Sequence, residues 1–321
     1  MKRLLGCLLM IALTLSARPV TTPLVLHVGY FPNVTHAQGV IGAQSTRQGQ
    51  GWFEQRLGPG VVVRWYAFNA GPSAMEAMLA GSLDLTYVGP NPALNVYIRS
   101  QGQEIRVLAG AAEGGAALVV QGKGLIERPE DFKGRKLATP QLGNTQDVAA
   151  RVWLKRQGFT VSTTGGDVYV WPTANPDQLT LFQAGNLDAA WTIEPWVSRL
   201  VQEAGGRIFL NQADAVTTVL VARSGFLRDH AELAEAFRQA HAELTQWINA
   251  HPDQAKEQVR LGISADVKKE MPAAIIASSW ARLHFTDKIS LSQFESLVAD
   301  ARTVGFLRDA IPLERMFSGK P

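Results

Sequence analysis

The chain has 321 residues, a formal net charge of +3 and a hydrophobic content of 46%. A chain of this length is usually too long to fold around one hydrophobic core, so two lobes are expected. The hydrophobic content is typical of a folded globular protein. Charges of both signs are interspersed without a dense basic stripe. We therefore expect no nucleic-acid partner.

The first residues are typical of a secretory signal. Lys2 and Arg3 precede an apolar run over residues 4–15, which is too short to span a bilayer. We expect a signal peptide over residues 1–17, followed by a soluble, periplasmic protein; a buried first helix is the alternative. The one cysteine, Cys7, lies inside this run, so a processed chain would have neither disulfides nor cysteine metal sites.

From residue 24 onward, short β-rich runs alternate with helical runs, which predicts an α/β fold with parallel-rich sheets covered by helices. Strands are predicted at 24–30, 61–66, 83–88, 105–110, 116–121, 136–139, 167–171, 187–191, 207–210 and 215–222. Helices are predicted at 37–50, 72–80, 92–100, 144–157, 176–184, 194–203, 226–248, 253–260, 273–282 and 291–304.

A weak internal repeat relates two parts of the chain. The sequence Ala-Gly-Ser-Leu-Asp at 80–84, followed by Tyr87, recurs as Ala-Gly-Asn-Leu-Asp at 184–188, followed by Trp191. The shift from 84 to 188 is 104 residues, and it also aligns a proline that opens the preceding helix in each unit. Chance similarity is the alternative, but the constant spacing and the matching residues at the start and end of the helix together favour two similar lobes.

Ligands of open α/β sheets bind beyond the carboxyl ends of the strands, where four segments stand out. These are residues 29–36, 88–93, 140–147 and 192–196. In the third, Asn144 or Thr145 can cap a helix whose first N–H groups and dipole can hold an oxyanion; an ordinary helix cap is the alternative. In the second, Asn91 is the expected cap and Pro92 the first helical residue.

The remaining candidates add rings and side-chain polar groups. Two indoles and Glu194 follow one strand, either as an aromatic wall with a carboxylate for a substrate amine, or as core packing with Glu194 as a helix cap. The candidate ligand-binding residues are Tyr30, Asn33, His36, Pro90, Asn91, Gln141, Gly143, Asn144, Thr145, Trp191, Glu194, Trp196 and Thr217. Hydrolase, phosphate-loop and zinc motifs are missing from the sequence, so we expect no catalytic residue, metal or cofactor.

Several short stretches in this order carry a family resemblance. They are residues 28–30, 80–84, 89–93, 131–136 leading into 143–145, and 185–191 ending in Glu194-Pro195. On these stretches the chain resembles the periplasmic substrate-binding proteins of ABC importers, in the nitrate, sulfonate and taurine branch.

The resemblance implies a two-lobed, type II periplasmic-binding-protein-like fold with the ligand cleft between the lobes. Lobe I would comprise residues 24–112 and 213–321, with a helical tail, and lobe II residues 113–212. The protein would be a monomer that closes on its ligand and delivers it to the membrane subunits of an ABC importer.

The resemblance leaves the ligand open. Because the four loop segments contain neither Arg nor Lys, a small monoanion such as an aliphatic sulfonate fits better than phosphate or sulfate, and an inward Glu194 would favour a taurine-like amine. The alternatives are nitrate, an aromatic carboxylate, a thiamine-type pyrimidine or, less favoured, an enzyme of the same fold.

Overall fold

The computed structural model describes residues 23–124, 126–163 and 165–318, so the predicted signal peptide lies outside the described residues. The strands are β1 (Leu24–Tyr30), β2 (Val61–Ala67), β3 (Leu85–Val88), β4 (Ile105–Gly114), β5 (Ala116–Gln121), β6 (Lys136–Thr139), β7 (Tyr169–Pro172), β8 (Ala189–Ile193), β9 (Gly206–Gln212), β10 (Val216–Arg223) and β11 (Leu283–Phe285). The helices are α1 (Ala37–Arg47), α2 (Glu54–Leu57), α3 (Gly71–Leu79), α4 (Pro90–Arg99), α5 (Thr145–Arg156), α6 (Asn175–Gln183), α7 (Trp196–Ala204), α8 (Ser224–Asp229), α9 (Ala231–Ala250), α10 (Pro252–Val267), α11 (Ala273–Trp280) and α12 (Leu291–Thr303). Short 3-10 turns occupy Val34–His36, Pro129–Phe132 and Glu314–Phe317.

Two separate sheets organise these elements. Sheet 1 has the strand order β11-β4-β10-β3-β1-β2, and sheet 2 the order β7-β6-β8-β5-β9. The predicted α/β class is confirmed, but both sheets are mixed: β1 pairs in parallel with β2 and β3, whereas β10 is antiparallel to β3 and β4. Sheet 2 repeats this mixture, because β6 is parallel to its neighbours and β5 antiparallel to its own.

The chain passes from one sheet to the other through strands that pair in antiparallel orientation. β4 of sheet 1 runs directly into β5 of sheet 2, and β9 returns into β10 through residues 213–215. A direct passage of this kind carries no crossover helix, so it does not impose the parallel pairing that a βαβ unit does. The predicted lobe boundaries, 112/113 and 212/213, fall beside these two passages.

The first passage depends on two glycines. Gly114 and Gly115 have φ of +74° and +71°, a region that favours glycine. A Cβ on Gly114 would also lie 2.4 Å from the carbonyl oxygen of Arg282. The backbone of the tail therefore packs directly on the strand that joins the two sheets.

The internal repeat corresponds to a structural repeat. Helices α3 and α6 have bounds shifted by the same 104 residues as Asp84 and Asp188, and each leads through a glycine with positive φ into a strand. The carboxylate of Asp84 accepts the N–H of His27 at 3.0 Å, and that of Asp188 accepts the N–H of Lys136 at 2.8 Å. In each unit the repeated aspartate thus ties the turn to the neighbouring parallel strand.

Helices cover both faces of each sheet. One face of sheet 1 packs on α1, α9, α10 and α11, and the other on α3, α4 and α12; sheet 2 packs on α5 and on α6 with α7. Val148 and Val152 of α5 join the cluster that contains α12, so the sheet 1 and sheet 2 units also touch through apolar side chains. Among the described residues, no helix is long and apolar enough to cross a membrane.

Three sequence-based details need correction. Helix α4 begins at Pro90 with Gly89 in the capping position, not at Pro92 after Asn91. The predicted helix over 226–248 is divided at His230 into α8 and α9. Helix α2 and strand β11 were not predicted, because each is too short to show a period.

Candidate functional site

A small cavity lies between the two units, beyond the carboxyl ends of β1, β3, β6 and β8. Its volume is about 20 Å³, room for little more than one water molecule. We call it the inner cavity; it is lined by Phe31, Asn33, His36, Asn69, Ala70, Gly71, Gly89, Pro92, Pro140, Asn144, Thr145, Gln146, Asn175, Ile193 and Thr217.

His36 contributes a neutral imidazole to the inner cavity. The ring is 1% exposed, stacks on Phe31 at 4.2 Å and accepts the N–H of Phe31 on Nδ1 at 3.4 Å. Burial lowers the pKa of His36 to about 3, so the ring is uncharged at neutral pH. Since Nδ1 is an acceptor, the proton is on Nε2, and the ring offers a donor.

The start of α5 contributes both backbone and side-chain groups. The Oδ1 of Asn144 caps the helix by accepting the N–H of Asp147 at 2.8 Å, and its Nδ2 donates to Oε1 of Gln146 at 3.2 Å. A backbone N–H can only donate, so these amide orientations follow from chemistry. Within the described part of the chain, the N–H groups of Thr145 and Gln146 have no acceptor, as expected for a first helical turn.

Two further asparagines have their oxygens engaged. The indole Nε1 of Trp196 donates to Oδ1 of Asn33 at 3.0 Å, which joins the sheet 2 unit to the sheet 1 unit. The hydroxyl of Thr192 donates to Oδ1 of Asn175 at 2.8 Å. Each asparagine therefore has its NH2 group left for the cavity.

The polar lining consequently offers more hydrogen-bond donors than hydrogen-bond acceptors to the cavity. The acceptor atoms of Asn33, His36, Asn144, Gln146 and Asn175 are all engaged with the protein. Two lining residues are exceptions: the hydroxyl of Thr217 donates to the carbonyl of Ala112 at 3.1 Å, and the side-chain amide of Asn69 is exposed and can present either its oxygen or its NH2 group. No residue of the lining is an Arg, Lys, Asp or Glu. Such a wall suits an anion held by neutral dipoles.

The start of α4 faces the start of α5 across the cleft. The N–H of Asn91 lies 3.4 Å from the hydroxyl oxygen of Thr145, and a Cβ on Gly89 would come within 2.5 Å of the same oxygen. Glycine at 89 thus permits the close approach of the two helix starts. The side-chain amide of Asn91 is 4% exposed and has no hydrogen-bond partner in the described structure.

A second cavity adjoins the first. It has a volume of about 260 Å³ and shares Asn33, Asn69 and Asn175 with the inner cavity. We call it the outer cavity; its other lining residues are Pro32, Phe68, Pro176, Trp196, Arg199, Val267 and Lys269.

The predicted site residues divide into four groups. The structure brings Asn33, His36, Asn144, Thr145 and Thr217 together on the inner cavity, and Trp196 on the outer one. Pro90 and Asn91 lie at the start of α4, behind the lining residue Gly89. Gly143 lies on a separate surface groove, and Gln141 precedes it in the same loop. Tyr30, Trp191 and Glu194 face away from the cleft.

Hydrogen-bond and packing partners hold the side chains of Tyr30 and Trp191 away from the cleft. The hydroxyl of Tyr30 donates to the carboxylate of Asp266 at 2.8 Å, and both burial and that carboxylate raise the pKa of Tyr30. The ring of Trp191 packs on Trp153, and its Nε1 donates to Gln212 at 2.9 Å. Strand alternation explains the second case: the strand end lies at the cleft, but this side chain points into the core.

Glu194 is an internal anchor and does not face a ligand amine. Its side chain is 0% exposed, accepts Nε of Arg282 at 2.6 Å and accepts both the N–H of Ser198 and the hydroxyl of Ser279. Both of its carboxylate oxygens are therefore engaged by these groups, beside the passage at Gly115. The expectation of an inward carboxylate for an amine is therefore corrected.

The candidate list lacked several lining residues. Asn69, Ala70 and Gly71 follow β2, and Asn175 occupies the matching place after β7. The internal repeat holds a signal for them, because its shift of 104 residues places Gly71 on Asn175 at the first position of α3 and α6. Among the residues that the structure describes, no cluster of three or more His, Cys, Asp or Glu could hold a metal ion.

The chain is similar to proteins that are named for the binding of sulfur oxyanions and nitrate. It is 28% identical to the taurine-binding periplasmic protein of Escherichia coli K12 over 60% of each chain, so it spans about 60% of that relative's length. This name is that of a binding protein, in agreement with the expectation that the chain is not an enzyme.

Solved structures agree with the fold. The alkanesulfonate-binding protein SsuA from Xanthomonas axonopodis pv. citri, bound to MOPS, superposes with a TM-score of 0.71 at 18% identity, over 88% of this chain and 93% of that one. The periplasmic nitrate-binding protein NrtA from Synechocystis PCC 6803 gives a TM-score of 0.67 at 15% identity, over 89% and 82%. At such identities the likeness concerns the fold, and it confirms the predicted periplasmic-binding-protein architecture.

The family follows from a match over most of the sequence. The model of the NMT1-like family matches residues 21–264, a segment that contains every residue of both cavities except Val267 and Lys269. The predicted resemblance is confirmed, and the chain belongs to the NMT1-like family.

Proposed function

We propose that this protein is an exported receptor that captures a small organic oxyanion with a singly charged sulfonate head group between two lobes and delivers it to an ABC importer. The lobes would be those predicted from the sequence, lobe I containing sheet 1 and lobe II sheet 2. The ligand's oxyanion would occupy the inner cavity, and the protein would act in the periplasm as a monomer.

The donor-rich wall of the inner cavity is the observation that carries this proposal. Sulfonate oxygens are pure acceptors, and the wall offers Nε2–H of His36, the amides of Asn33 and Asn175, and the groups at the start of α5. The positive end of the helix dipole adds to this field without a formal charge. A doubly charged head group would lack, in the inner cavity, the cations that its second charge needs.

Closure of the two lobes follows from the size of the inner cavity. Ligand pockets usually enclose roughly 300–1,000 Å³, and the inner cavity has about 20 Å³. Entry of a sulfonate therefore requires the starts of α4 and α5 to separate and then close over it. The passages at Gly114-Gly115 and at residues 213–215 are the places where such a rotation would occur.

The similarities support the same class of ligand. One relative is named for taurine and one structural neighbour for alkanesulfonates, and both names describe sulfonate head groups. Nitrate, which gives its name to another neighbour, is the closest competing anion.

Replacement of Thr145 by Val tests the proposal. The change keeps the shape of the side chain but removes a hydroxyl donor at the start of α5, and a hydrogen bond to a charged acceptor contributes about 1.5–3 kcal/mol. We expect the affinity for propane-1-sulfonate, measured by titration calorimetry, to fall roughly 10- to 100-fold.

Thr180→Val is the matched control, because Thr180 is an exposed threonine on helix α6 of the same lobe. It should leave the affinity unchanged. Equal affinities of the wild type and Thr145→Val would remove the start of α5 from the site. Binding of nitrate but of no sulfonate would replace the ligand class.

A further inference from the structure

The outer cavity differs from the inner one in charge as well as in size. Its lining contains the cationic side chains of Arg199 and Lys269, and none of its lining residues is an Asp or Glu. Phe68 lines it from lobe I and Trp196 from lobe II, so its walls are partly aromatic. With about 260 Å³ it offers the space that the inner cavity lacks.

The side chains of Arg199 and Lys269 differ in whether an acidic side chain pairs with them. Arg199 lies over the ring of Trp196 at 4.8 Å and forms a two-pronged ion pair with Glu203, with both contacts at 2.9 Å. Its charge is thereby largely compensated. Lys269 is exposed and forms no ion pair with the described residues, since the neighbouring Glu270 pairs with Arg260. Asp266 is likewise engaged, by Arg47.

On the basis of the proposed function, we propose that the outer cavity binds the tail of the sulfonate ligand and selects a tail that ends in a second anionic group. The inner and outer cavities share the wall formed by Asn33, Asn69 and Asn175, so a head group in the inner cavity can extend its substituent past these residues into the outer cavity. There the Lys269 ammonium attracts a carboxylate and repels an ammonium. Of the acids that adjoin lining residues in sequence, Glu194 is paired with Arg282 and Asp147 with Arg151, and Asp177 does not itself line the outer cavity.

Three ligands of equal length test the proposal by titration calorimetry at low ionic strength: 3-sulfopropanoate, propane-1-sulfonate and taurine. They end in a carboxylate, a methyl group and an ammonium. An exposed ion pair contributes up to about 1 kcal/mol, so we expect the carboxylate to bind roughly 2- to 5-fold tighter than the methyl and the ammonium weaker by a similar factor.

Lys269→Gln should bring the three affinities together. Lys268→Gln is the matched control: it removes the same charge from the adjacent residue, which does not line the outer cavity, and should preserve the order. Taurine binding as tightly as propane-1-sulfonate to the wild type, or equal effects of the two variants, would overturn the tail assignment. If none of the three ligands bound, the sulfonate proposal itself would fail.

Discussion

The inner and outer cavities share three asparagines, yet the rest of their walls differ in kind. The inner wall is uncharged and offers donors whose positions are set by bonds within the protein. The outer wall is wider, partly aromatic and carries an exposed ammonium. Under the two proposals, fixed dipoles in the inner cavity would define one geometry for the head group, whereas the flexible surface charge of the outer cavity would select only the sign of the charge on the tail.

The largest expected effect concerns the carboxylate that belongs to neither cavity. Glu194→Ala would leave Arg282 without its counter-charge and Ser198 and Ser279 without their acceptor, and breaking such a buried pair lowers the free energy of unfolding by about 3–5 kcal/mol. Urea denaturation measures this change. Glu235→Ala, which removes an exposed partner of Arg238, should lower it by less than about 1 kcal/mol. A stable Glu194→Ala variant with weakened taurine binding would instead place this carboxylate at the ligand.

The pH dependence of stability tests the neutral state of His36. In the unfolded chain a histidine takes up its proton below about pH 6.5, whereas burial holds the pKa of His36 at about 3 in the native state. The stability from neutral His36 is therefore complete above pH 6.5 and declines as the pH falls toward 3. Between pH 7 and pH 5 this one group should lower the free energy of unfolding by about 2 kcal/mol.

His36→Gln should show a correspondingly smaller loss of stability in urea unfolding at pH 7 and pH 5. The buried His241, whose pKa is lowered to about 4, titrates in both proteins and cancels in the comparison. The affinity of the wild type for propane-1-sulfonate should be constant from pH 8 to pH 5. An affinity that rises as the pH falls would mean that His36 binds the anion as a cation.

A smaller effect is expected from Trp196→Phe, which alters the contact between the cavities. The change keeps an aromatic wall in the outer cavity but removes the N–H that engages Oδ1 of Asn33. The asparagine could then turn its oxygen toward the anion, and the loss of about 1 kcal/mol corresponds to roughly a 5-fold weaker affinity for propane-1-sulfonate in calorimetry. Trp171→Phe is the control, since that indole is 52% exposed. Equal affinities for the two variants would show that the donor pattern does not depend on this bond.

Local patterns predicted much of the fold. Strands β1 and β5 match their predicted bounds because each is a mostly apolar run between turn residues, and β6 matches because it lies between Gly134 and Pro140. The start of α4 was misplaced because Gly89-Pro90-Asn91-Pro92 offers two prolines that suit a first helical turn and an asparagine that suits a cap. The mixed pairing of the sheets was missed, since the alternation of strands and helices says nothing about direct passages.

Site residues were predictable only where a single sequence segment contains the signal for them. Asn144 and Thr145 were found because a helix cap is a local signal, and both line the inner cavity. The role of Glu194 depends on Arg282, which is distant in sequence, so the sequence left its direction open. The orientation of the donors depends on partners such as Trp196 and Thr192, which become neighbours only when the chain is folded.

The surplus of hydrogen-bond donors in the inner cavity has a consequence for the proposed role of the protein as a receptor of an importer. If the lobes closed without a ligand, several N–H groups of the inner cavity would lack a hydrogen-bond acceptor, because the cavity admits little more than one water molecule. Each buried donor without an acceptor costs about 1–3 kcal/mol of free energy. A bound anion accepts hydrogen bonds from these groups and so removes that cost. Under the proposed function, molecules without ligand would therefore favour the open form, and they would rarely dock on the importer in the closed form.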